Sequence, residues 1–170
     1  MVPAYVFLDI DGVLNTRKNY IDFYCAGRRN LEKWKCDELL FDPKNVDVLN
    51  AITSEVGAKI VISSSWRLLY ASRWEELKEL LVRVGITAPI IGRTPVSNQD
   101  RGSAIDQWLD ENESEREVRF VILDDEEPYV FSKRTRSHLC HTNPAVGLVE
   151  SDIKRSMKIL KKNFKPGKKS

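Results

Sequence analysis

The stretch YVFLDIDGVLN, residues 5–15, decides how the rest of the sequence is interpreted. Its apolar run ends in Asp9, and Asp11 and Gly12 follow after one intervening residue. Residues two apart in a strand project to the same face, so at a frayed strand end Asp9 and Asp11 could both reach one point. Their charges repel each other unless a cation lies between them. An Asp-Gly pair after an apolar run is also a common turn signal, and a turn needs no metal.

Composition is typical of a single globular domain. The chain has 170 residues, of which 42% are hydrophobic and 31% charged, enough to bury a substantial core. Its three cysteines are odd in number and form no C-x-x-C pair, so neither a disulfide framework nor a zinc site is predicted. With no signal peptide and no apolar segment of about 20 residues, we expect no membrane association and a reducing, cytoplasmic location.

The net charge of +2 is too small to indicate nucleic-acid binding by itself, but the positive charges are unevenly placed. Many of them crowd the C-terminus: Lys154, Arg155, Lys158, Lys161, Lys162, Lys165, Lys168 and Lys169. Together with Arg17, Lys18, Arg28 and Arg29 they could form a basic approach to a phosphate-bearing polymer. A solvated charged face is the alternative interpretation.

Apolar runs alternate with helical patterns along the chain. Strands are predicted at 4–8, 59–62, 86–91, 118–123 and 137–141, and helices at 43–56, 72–84, from about 102, and 147–162. The alternation predicts right-handed crossovers and a mainly parallel five-stranded sheet in a Rossmann-like three-layer α/β sandwich. Pro89 favours an edge position for the third strand. We expect one domain over residues 1–164 and a disordered basic tail over 165–170.

Residues 16–42 show only weak periodicity and mix basic with aromatic side chains. A structureless connection of that length is unusual in a compact domain unless it serves as a lid or binding loop. We therefore expect a flap over Asp9 and Asp11. It is too short for a separate cap domain, which predicts an open site.

Polar clusters follow three of the predicted strands. Asp9 and Asp11 follow the first, Ser63–Ser65 the second, and Asp124 and Asp125 the fourth. In parallel sheets, ligands bind beyond the carboxyl ends of the strands, at the point where the strand order reverses. The coincidence of three clusters favours a functional site over scattered surface polarity.

Carboxylates without histidine or cysteine suit a hard, oxygen-preferring cation such as Mg²⁺, which is often shared with a substrate phosphate. Serine hydroxyls and Arg101 could hold and balance the charge of a transferring phosphoryl group. An aspartate is a known covalent nucleophile toward phosphorus. A second aspartate, two residues further on, could protonate the leaving oxygen and then activate water.

These motifs resemble those of the haloacid dehalogenase superfamily of phosphohydrolases. FLDIDGVLN resembles the first motif, with Asp9 as nucleophile and Asp11 as general acid/base. The resemblance implies an aspartyl-phosphate intermediate and a metal bound by the Asp9 side chain and the Asp11 backbone carbonyl. VISSSWR resembles the second motif, which holds the phosphoryl group; Ser64 is the preferred match and Ser63 the alternative.

The other two motifs complete the expected site. DRGSAIDQWL places Arg101 in the third motif, where lysine is commoner, and ILDDEE resembles the acidic fourth motif. The resemblance implies Asp125 as metal ligand and Asp124 as its support. Ser63, Ser65 and Arg67 are the expected substrate-binding residues.

The resemblance covers nearly the whole chain and is strongest to the small capless domains named for Swiss Army Knife RNA repair proteins. It implies a phosphomonoesterase that acts on a nucleotide or a nucleic-acid terminal phosphate. A sugar-phosphate phosphatase and a non-catalytic nucleic-acid-binding accessory protein are the alternatives. Transfer of the phosphoryl group to an acceptor other than water is a third.

The roles of several other residues stay open at this point. Trp66 could line a pocket or pack in the core, and Arg93 could bind phosphate or cap the turn before Pro95. His138 and His141 fall on opposite faces of a strand-like segment, so structural or surface roles are expected. Cys25 is not expected to be a nucleophile, since Asp9 is the better one.

Overall fold

Five strands form one parallel sheet in the computed structural model, which describes residues 2–25, 38–96, 100–113 and 117–165. They lie in the order β3-β2-β1-β4-β5, and every neighbouring pair is parallel. The strands are β1 (Ala4–Leu8), β2 (Lys59–Ile62), β3 (Ile90–Arg93), β4 (Arg119–Asp124) and β5 (Leu139–His141). The predicted five-stranded parallel sheet is therefore confirmed, and β1 lies at its centre.

Helices cover both faces of this sheet, as the predicted three-layer α/β sandwich requires. They are α1 (Arg17–Cys25), α2 (Pro43–Val56), α3 (Trp66–Leu69), α4 (Trp74–Arg83), α5 (Arg101–Glu113) and α6 (Glu150–Leu160). Two short 3₁₀ turns, Pro128–Val130 and Arg136–His138, lie between β4 and β5. Of the helices in the described part of the chain, none is long and apolar enough to cross a membrane.

The alternation of side chains along β1 produces two cores, one on each face of the sheet. Val6 and Leu8 pack in a cluster with apolar residues of α2, α4 and α6. Tyr5 and Phe7 point to the other face and pack with Ile105, Trp108 and Leu109 of α5. Because all five residues of β1 are buried, the strand is anchored from both sides and its C-terminal end is held firmly in place.

Capping residues fix the ends of α2 where the sequence predicts them. The Asp42 side chain accepts a hydrogen bond from the Lys44 amide at 2.9 Å, and Pro43 occupies the first turn. Gly57 ends the helix in the left-handed conformation, with φ of 62°. Both boundaries agree with the prediction.

Two strands are shorter than predicted. β3 begins only at Ile90, after Pro89, and it lies at the sheet edge as expected from that proline. β5 begins at Leu139 because the preceding residues form the Arg136–His138 turn.

The first part of the predicted flap forms a helix, α1, which the weak periodicity of residues 16–42 did not indicate. The signal that was missed is a reciprocal cap. Thr16 Oγ1 accepts a hydrogen bond from the Asn19 amide at 3.3 Å, while Asn19 Oδ1 accepts one from the Thr16 amide at 2.7 Å. The rest of the predicted flap up to residue 37 lies outside the described residues, as does the predicted tail beyond Lys165.

Three of the C-terminal lysines, Lys161, Lys162 and Lys165, lie away from the predicted site. α6 returns from the end of β5 toward the start of the sheet, and Phe164 then pairs with Val118, next to the first residue of β4. Lys161, Lys162 and Lys165 are therefore at the amino-terminal edge of the sheet, opposite Asp9. They do not join Arg17 and Lys18 in the basic approach expected from the sequence.

Candidate active site

The carboxyl ends of β1, β2 and β4 bring the predicted site residues to one edge of the sheet. The Asp9 amide donates a hydrogen bond to Leu123 O of β4 at 3.0 Å, and the Ser63 amide donates one to Leu8 O of β1 at 2.9 Å. These backbone hydrogen bonds continue the sheet by one residue beyond its strands. They fix the backbone positions from which the Asp9 and Ser63 side chains extend.

Three carboxylates meet at this edge. Asp9, Asp124 and Asp125 each offer an oxygen, and these oxygens lie within 4.8 Å of one another. Asp9 is 3% exposed and Asp124 is fully buried, whereas Asp125 is half-buried. A concentration of negative charge in so little solvent is costly unless cations balance it.

Arg101 supplies part of that balance. Its Nη1 lies 2.6 Å from Asp9 Oδ2 and 2.7 Å from Asp124 Oδ2, so one guanidinium nitrogen bridges the two buried acids. Burial opposes the positive charge of Arg101, but the two carboxylates outweigh burial and raise the pKa of the guanidinium. Arg101 is thus a permanent cation at the centre of the site.

One arginine does not neutralise three acids. Burial raises the pKa of Asp124 to about 7, and the charge of Asp9 adds to the effect despite the nearby Arg101. The pKa of Asp125 is also raised, by burial and then by Asp9. Arg101 alone therefore does not offset the charge of all three acids when they are ionised.

The donor set fits a hard divalent cation. The candidate ligands in the described part of the chain are all carboxylate oxygens, without a nitrogen or sulfur ligand, which is the chemistry that Mg²⁺ prefers. The third acid, which Arg101 does not contact in an ion pair, supports the same conclusion. Asp9, Asp124 and Asp125 are the residues that could hold such an ion.

Gly12 leaves room for the Asp125 carboxylate. It has φ of 73°, and a Cβ atom there would lie 2.4 Å from Asp125 Oδ2. The loop is held on both sides: Thr142 Oγ1 donates to Gly12 O at 3.0 Å, and His141 Nε2 lies 3.0 Å from Asp125 O. Gly12 thus permits both the turn, through its positive φ, and the close approach of the Asp125 carboxylate.

The Asp11 carboxylate does not join the acid cluster, contrary to the simple expectation that both acids of the first strand reach one point. It accepts hydrogen bonds from Trp66 Nε1 at 3.0 Å, Asn15 Nδ2 at 2.9 Å and the Tyr20 hydroxyl at 2.9 Å. The reason is that β1 ends at Leu8, so residues beyond it no longer follow strand alternation. Asp11 is surrounded by neutral donors instead.

The serines after β2 differ in their surroundings. Ser63 and Ser64 are both fully buried, and Ser65 is exposed. Ser64 Oγ accepts a hydrogen bond from the Trp66 amide at 3.3 Å, whereas the buried Ser63 Oγ has no hydrogen-bond partner among the described residues. Both residues directly follow β2, and the choice of Ser64 over Ser63 stays a prediction.

Sequence reasoning missed two residues of the site and left a third undecided. Asn15 and Tyr20 were not predicted, and both contact Asp11. Trp66 combines the two roles considered for it, since its ring is buried against Phe41 and Tyr70 while its N–H reaches Asp11. The Thr16 cap was the signal that could have predicted the contact of Tyr20 with Asp11. A helix that starts at this cap directs residue 20 back toward the turn that contains Asp11.

The two histidines have structural surroundings, as expected. His138 is buried and stacks on Phe120, with ring centroids 4.0 Å apart, while His141 supports the backbone of Asp125. No metal-binding group of the described residues includes either of them. The side chain of Cys25 lies outside the described part of the structure.

Comparison with known families agrees with this arrangement. The model of the HAD domain in Swiss Army Knife RNA repair proteins matches residues 5–153. The chain belongs to this HAD family. The match runs from β1 into α6 and includes every strand of the sheet and all the predicted motifs. No curated protein and no solved structure matches the chain significantly.

Proposed function

We propose that this HAD domain is a phosphomonoester hydrolase in which Asp9 is the nucleophile. The observation that carries the proposal is the cluster of Asp9, Asp124 and Asp125 at one strand edge, with Arg101 bridging two of these acids. Family membership supports the same chemistry. A structural role for the cluster would not explain why a third acid, Asp125, lies beside the two acids that Arg101 already bridges.

The reaction has two displacement steps. In the first, an Asp9 oxygen forms a bond to phosphorus, the bond from phosphorus to the leaving oxygen breaks, and Asp11 gives its proton to that oxygen. In the second, Asp11 takes a proton from water as the water oxygen bonds to phosphorus. The bond between phosphorus and Asp9 then breaks, which releases phosphate and restores the enzyme.

Other side chains hold the phosphoryl group during these steps. Arg101 is already within ion-pair distance of Asp9, so its guanidinium is placed to balance charge on the phosphoryl oxygens. Ser64 or Ser63 supplies a hydroxyl donor from the end of β2. Asp9, Asp124, Asp125 and the Asp11 carbonyl would hold Mg²⁺, which supplies charge neutralisation for the phosphoryl group when bound.

The Tyr20 hydroxyl has a particular place in the proton transfer. Of the three atoms in the described residues that donate to the Asp11 carboxylate, the Tyr20 hydroxyl is the one that can also accept a hydrogen bond. It can therefore remain bonded to Asp11 both with and without the transferred proton. The indole N–H of Trp66 and the amide N–H of Asn15 can only donate.

The substrate that we propose is a nucleotide or a nucleic-acid terminal phosphate. The description of the matched family as a domain of RNA repair proteins supports it. Sugar phosphates are the competing small substrates. A non-catalytic role in binding nucleic acid is the alternative from a different class.

Phosphate release from p-nitrophenyl phosphate with Mg²⁺ tests the proposal. We expect turnover by the wild type and none above background by Asp9→Asn, with unchanged circular dichroism and melting temperature close to wild type. Asp47→Asn, which changes an exposed acid of α2, is the matched control and should keep full activity. If the wild type releases no phosphate from this ester, from nucleotides or from phosphorylated oligonucleotides, the non-catalytic alternative is favoured.

A further inference from the structure

Two arginines beside the acid cluster lack a carboxylate partner among the residues that the structure describes. Arg67 lies on α3, just after β2, and Arg93 ends β3. By contrast, Arg101 is paired with Asp9 and Asp124, and Arg73 with Glu76. Arg67 and Arg93 thus differ from these arginines in having no ion pair within the described part of the chain.

Backbone carbonyls hold both guanidinium groups in place. Arg67 Nη1 donates to Ser63 O at 2.9 Å and to Ser64 O at 2.8 Å, and Arg93 Nη1 donates to Arg67 O at 3.3 Å. Arg93 Nη2 donates to Ala71 O at 3.2 Å, and its guanidinium carbon lies 4.9 Å from the centroid of the Trp74 ring. These contacts orient the arginines, but they supply no negative charge.

Arg67 is buried, with 6% of its surface exposed, and its Nε has no hydrogen-bond partner in the described structure. Burial lowers the pKa of its guanidinium, and the charges of Arg101 and Arg93 lower it further, although Asp9 acts in the opposite direction. The three arginines are thus close enough to repel one another. An anion between Arg67 and Arg93 would relieve this repulsion and satisfy their remaining donors.

Arg67 lies next to the serines of the phosphoryl site, whereas Arg93 lies farther from Asp9. β3 lies two strands from β1, which is about 10 Å by ordinary strand spacing. A phosphoryl group in contact with Asp9 and Arg101 does not extend to Arg93. A second anionic group on the same substrate could extend to Arg93.

We propose that Arg67 and Arg93 form a second phosphate subsite, which binds the phosphodiester next to the terminal phosphate of an oligonucleotide. The inference rests on the proposed function and narrows its substrate from any phosphomonoester to a polynucleotide end. Arginine suits this task because its planar fork donates two hydrogen bonds to one phosphate. Such contacts position the chain without reading its sequence.

A ratio of activities tests the subsite. The probes are thymidine dinucleotides with a 5'- or 3'-terminal phosphate and the corresponding thymidine monophosphates, which lack the phosphodiester. We expect wild-type kcat/KM to be about tenfold or more higher for the better dinucleotide than for its monophosphate, the effect of one charge-assisted contact. In Arg93→Gln this preference should disappear, and in Arg93→Lys it should be intermediate.

Arg73→Gln is the matched control, because Arg73 is an exposed arginine of the same region that is paired with Glu76. Its preference should equal that of the wild type. Arg67→Lys tests the buried arginine with its charge retained and should reduce the preference through loss of the bidentate fork. A wild type without a preference for dinucleotides, or an Arg93→Gln variant that keeps it, would overturn the subsite.

Binding separates failure of the subsite from failure of the proposed function. Calorimetric titration of the wild type and of Arg93→Gln with the phosphorylated dinucleotide should show about tenfold weaker binding to the variant. Equal binding rejects the subsite even if the protein hydrolyses p-nitrophenyl phosphate. Binding that depends on Arg93 without any hydrolysis keeps the subsite and rejects the enzymatic function.

Discussion

Asp9 and Asp11 lie two residues apart, yet their carboxylates have opposite surroundings. Asp9 faces formal charges, because Arg101 contacts it at 2.6 Å and Asp124 and Asp125 lie nearby. Asp11 faces neutral donors from an indole, an amide and a hydroxyl. The end of β1 causes the difference, since Asp9 continues the sheet while Asp11 belongs to the turn that follows.

This difference matches the two roles that we propose. A nucleophile must stay ionised and must reach phosphorus. The fixed cation Arg101 favours the ionised form of Asp9 and attracts the phosphoryl group toward it. A proton carrier must be oriented while it gains and loses a charge, and neutral dipoles orient a group without adding a charge that would resist the change. Variants that alter the surroundings of only one of these two aspartates test whether Asp9 and Asp11 have separate roles.

The largest expected effect comes from removing the cation beside Asp9. In Arg101→Met two buried acids face each other without a counter-charge, and we expect the free energy of unfolding to fall by about 3–5 kcal/mol. Urea denaturation at neutral pH measures it. Arg134→Met is the comparison, because Arg134 is more exposed and is paired with Asp110. The free energy of unfolding of this variant should fall by much less. Equal losses in the two variants would mean that the acid cluster does not depend on Arg101.

Mg²⁺ should distinguish the two carboxylates of the first motif. At a concentration of 100 times its dissociation constant, a bound ion stabilises the folded protein by about 2.7 kcal/mol, which raises the melting temperature. We expect this shift in the wild type and in Asp11→Asn, whose carboxylate lies outside the acid cluster. It should be lost or strongly reduced in Asp125→Asn. A shift lost in Asp11→Asn but kept in Asp125→Asn would reverse the assignment of the metal site.

Much of the fold was predictable because its signals are local. Short apolar runs identified all five strands, and the Asp42, Pro43 and Gly57 caps gave both ends of α2. The uninterrupted apolar run at residues 4–8 was also enough to predict that β1 is buried. α1 was missed because its stabilising signal is a reciprocal Thr16–Asn19 cap rather than an apolar stripe, and a weak pattern does not reveal a helix that lies on the surface.

The candidate site was predictable in its membership and less so in its geometry. The acids, serines and Arg101 were found because each follows a strand or opens a helix, where parallel sheets gather their ligands. The direction of the Asp11 side chain was not predictable, since it depends on where β1 ends and on Trp66, which is 55 residues away in sequence. Contacts at such separation leave no pattern in a single sequence.

The smallest expected effect concerns the orientation of Asp11 through Trp66. Trp66→Phe removes the N–H that contacts Asp11 Oδ2 but keeps an aromatic ring between Phe41 and Tyr70. Losing one hydrogen bond to a charged acceptor should lower kcat about tenfold with p-nitrophenyl phosphate. KM should change by less than about twofold, because Asp11 acts on the leaving oxygen rather than in substrate binding.

Trp108→Phe separates this orienting role from general loss of packing. Trp108 is also a nearly buried tryptophan, but it packs against Tyr5 and Phe7 on the opposite face of the sheet. Its replacement should lower the melting temperature while leaving kcat close to the wild-type value. If both variants lose the same fraction of kcat, Trp66 acts through packing alone, and the neutral surroundings of Asp11 are then a consequence of the turn rather than a device for proton transfer.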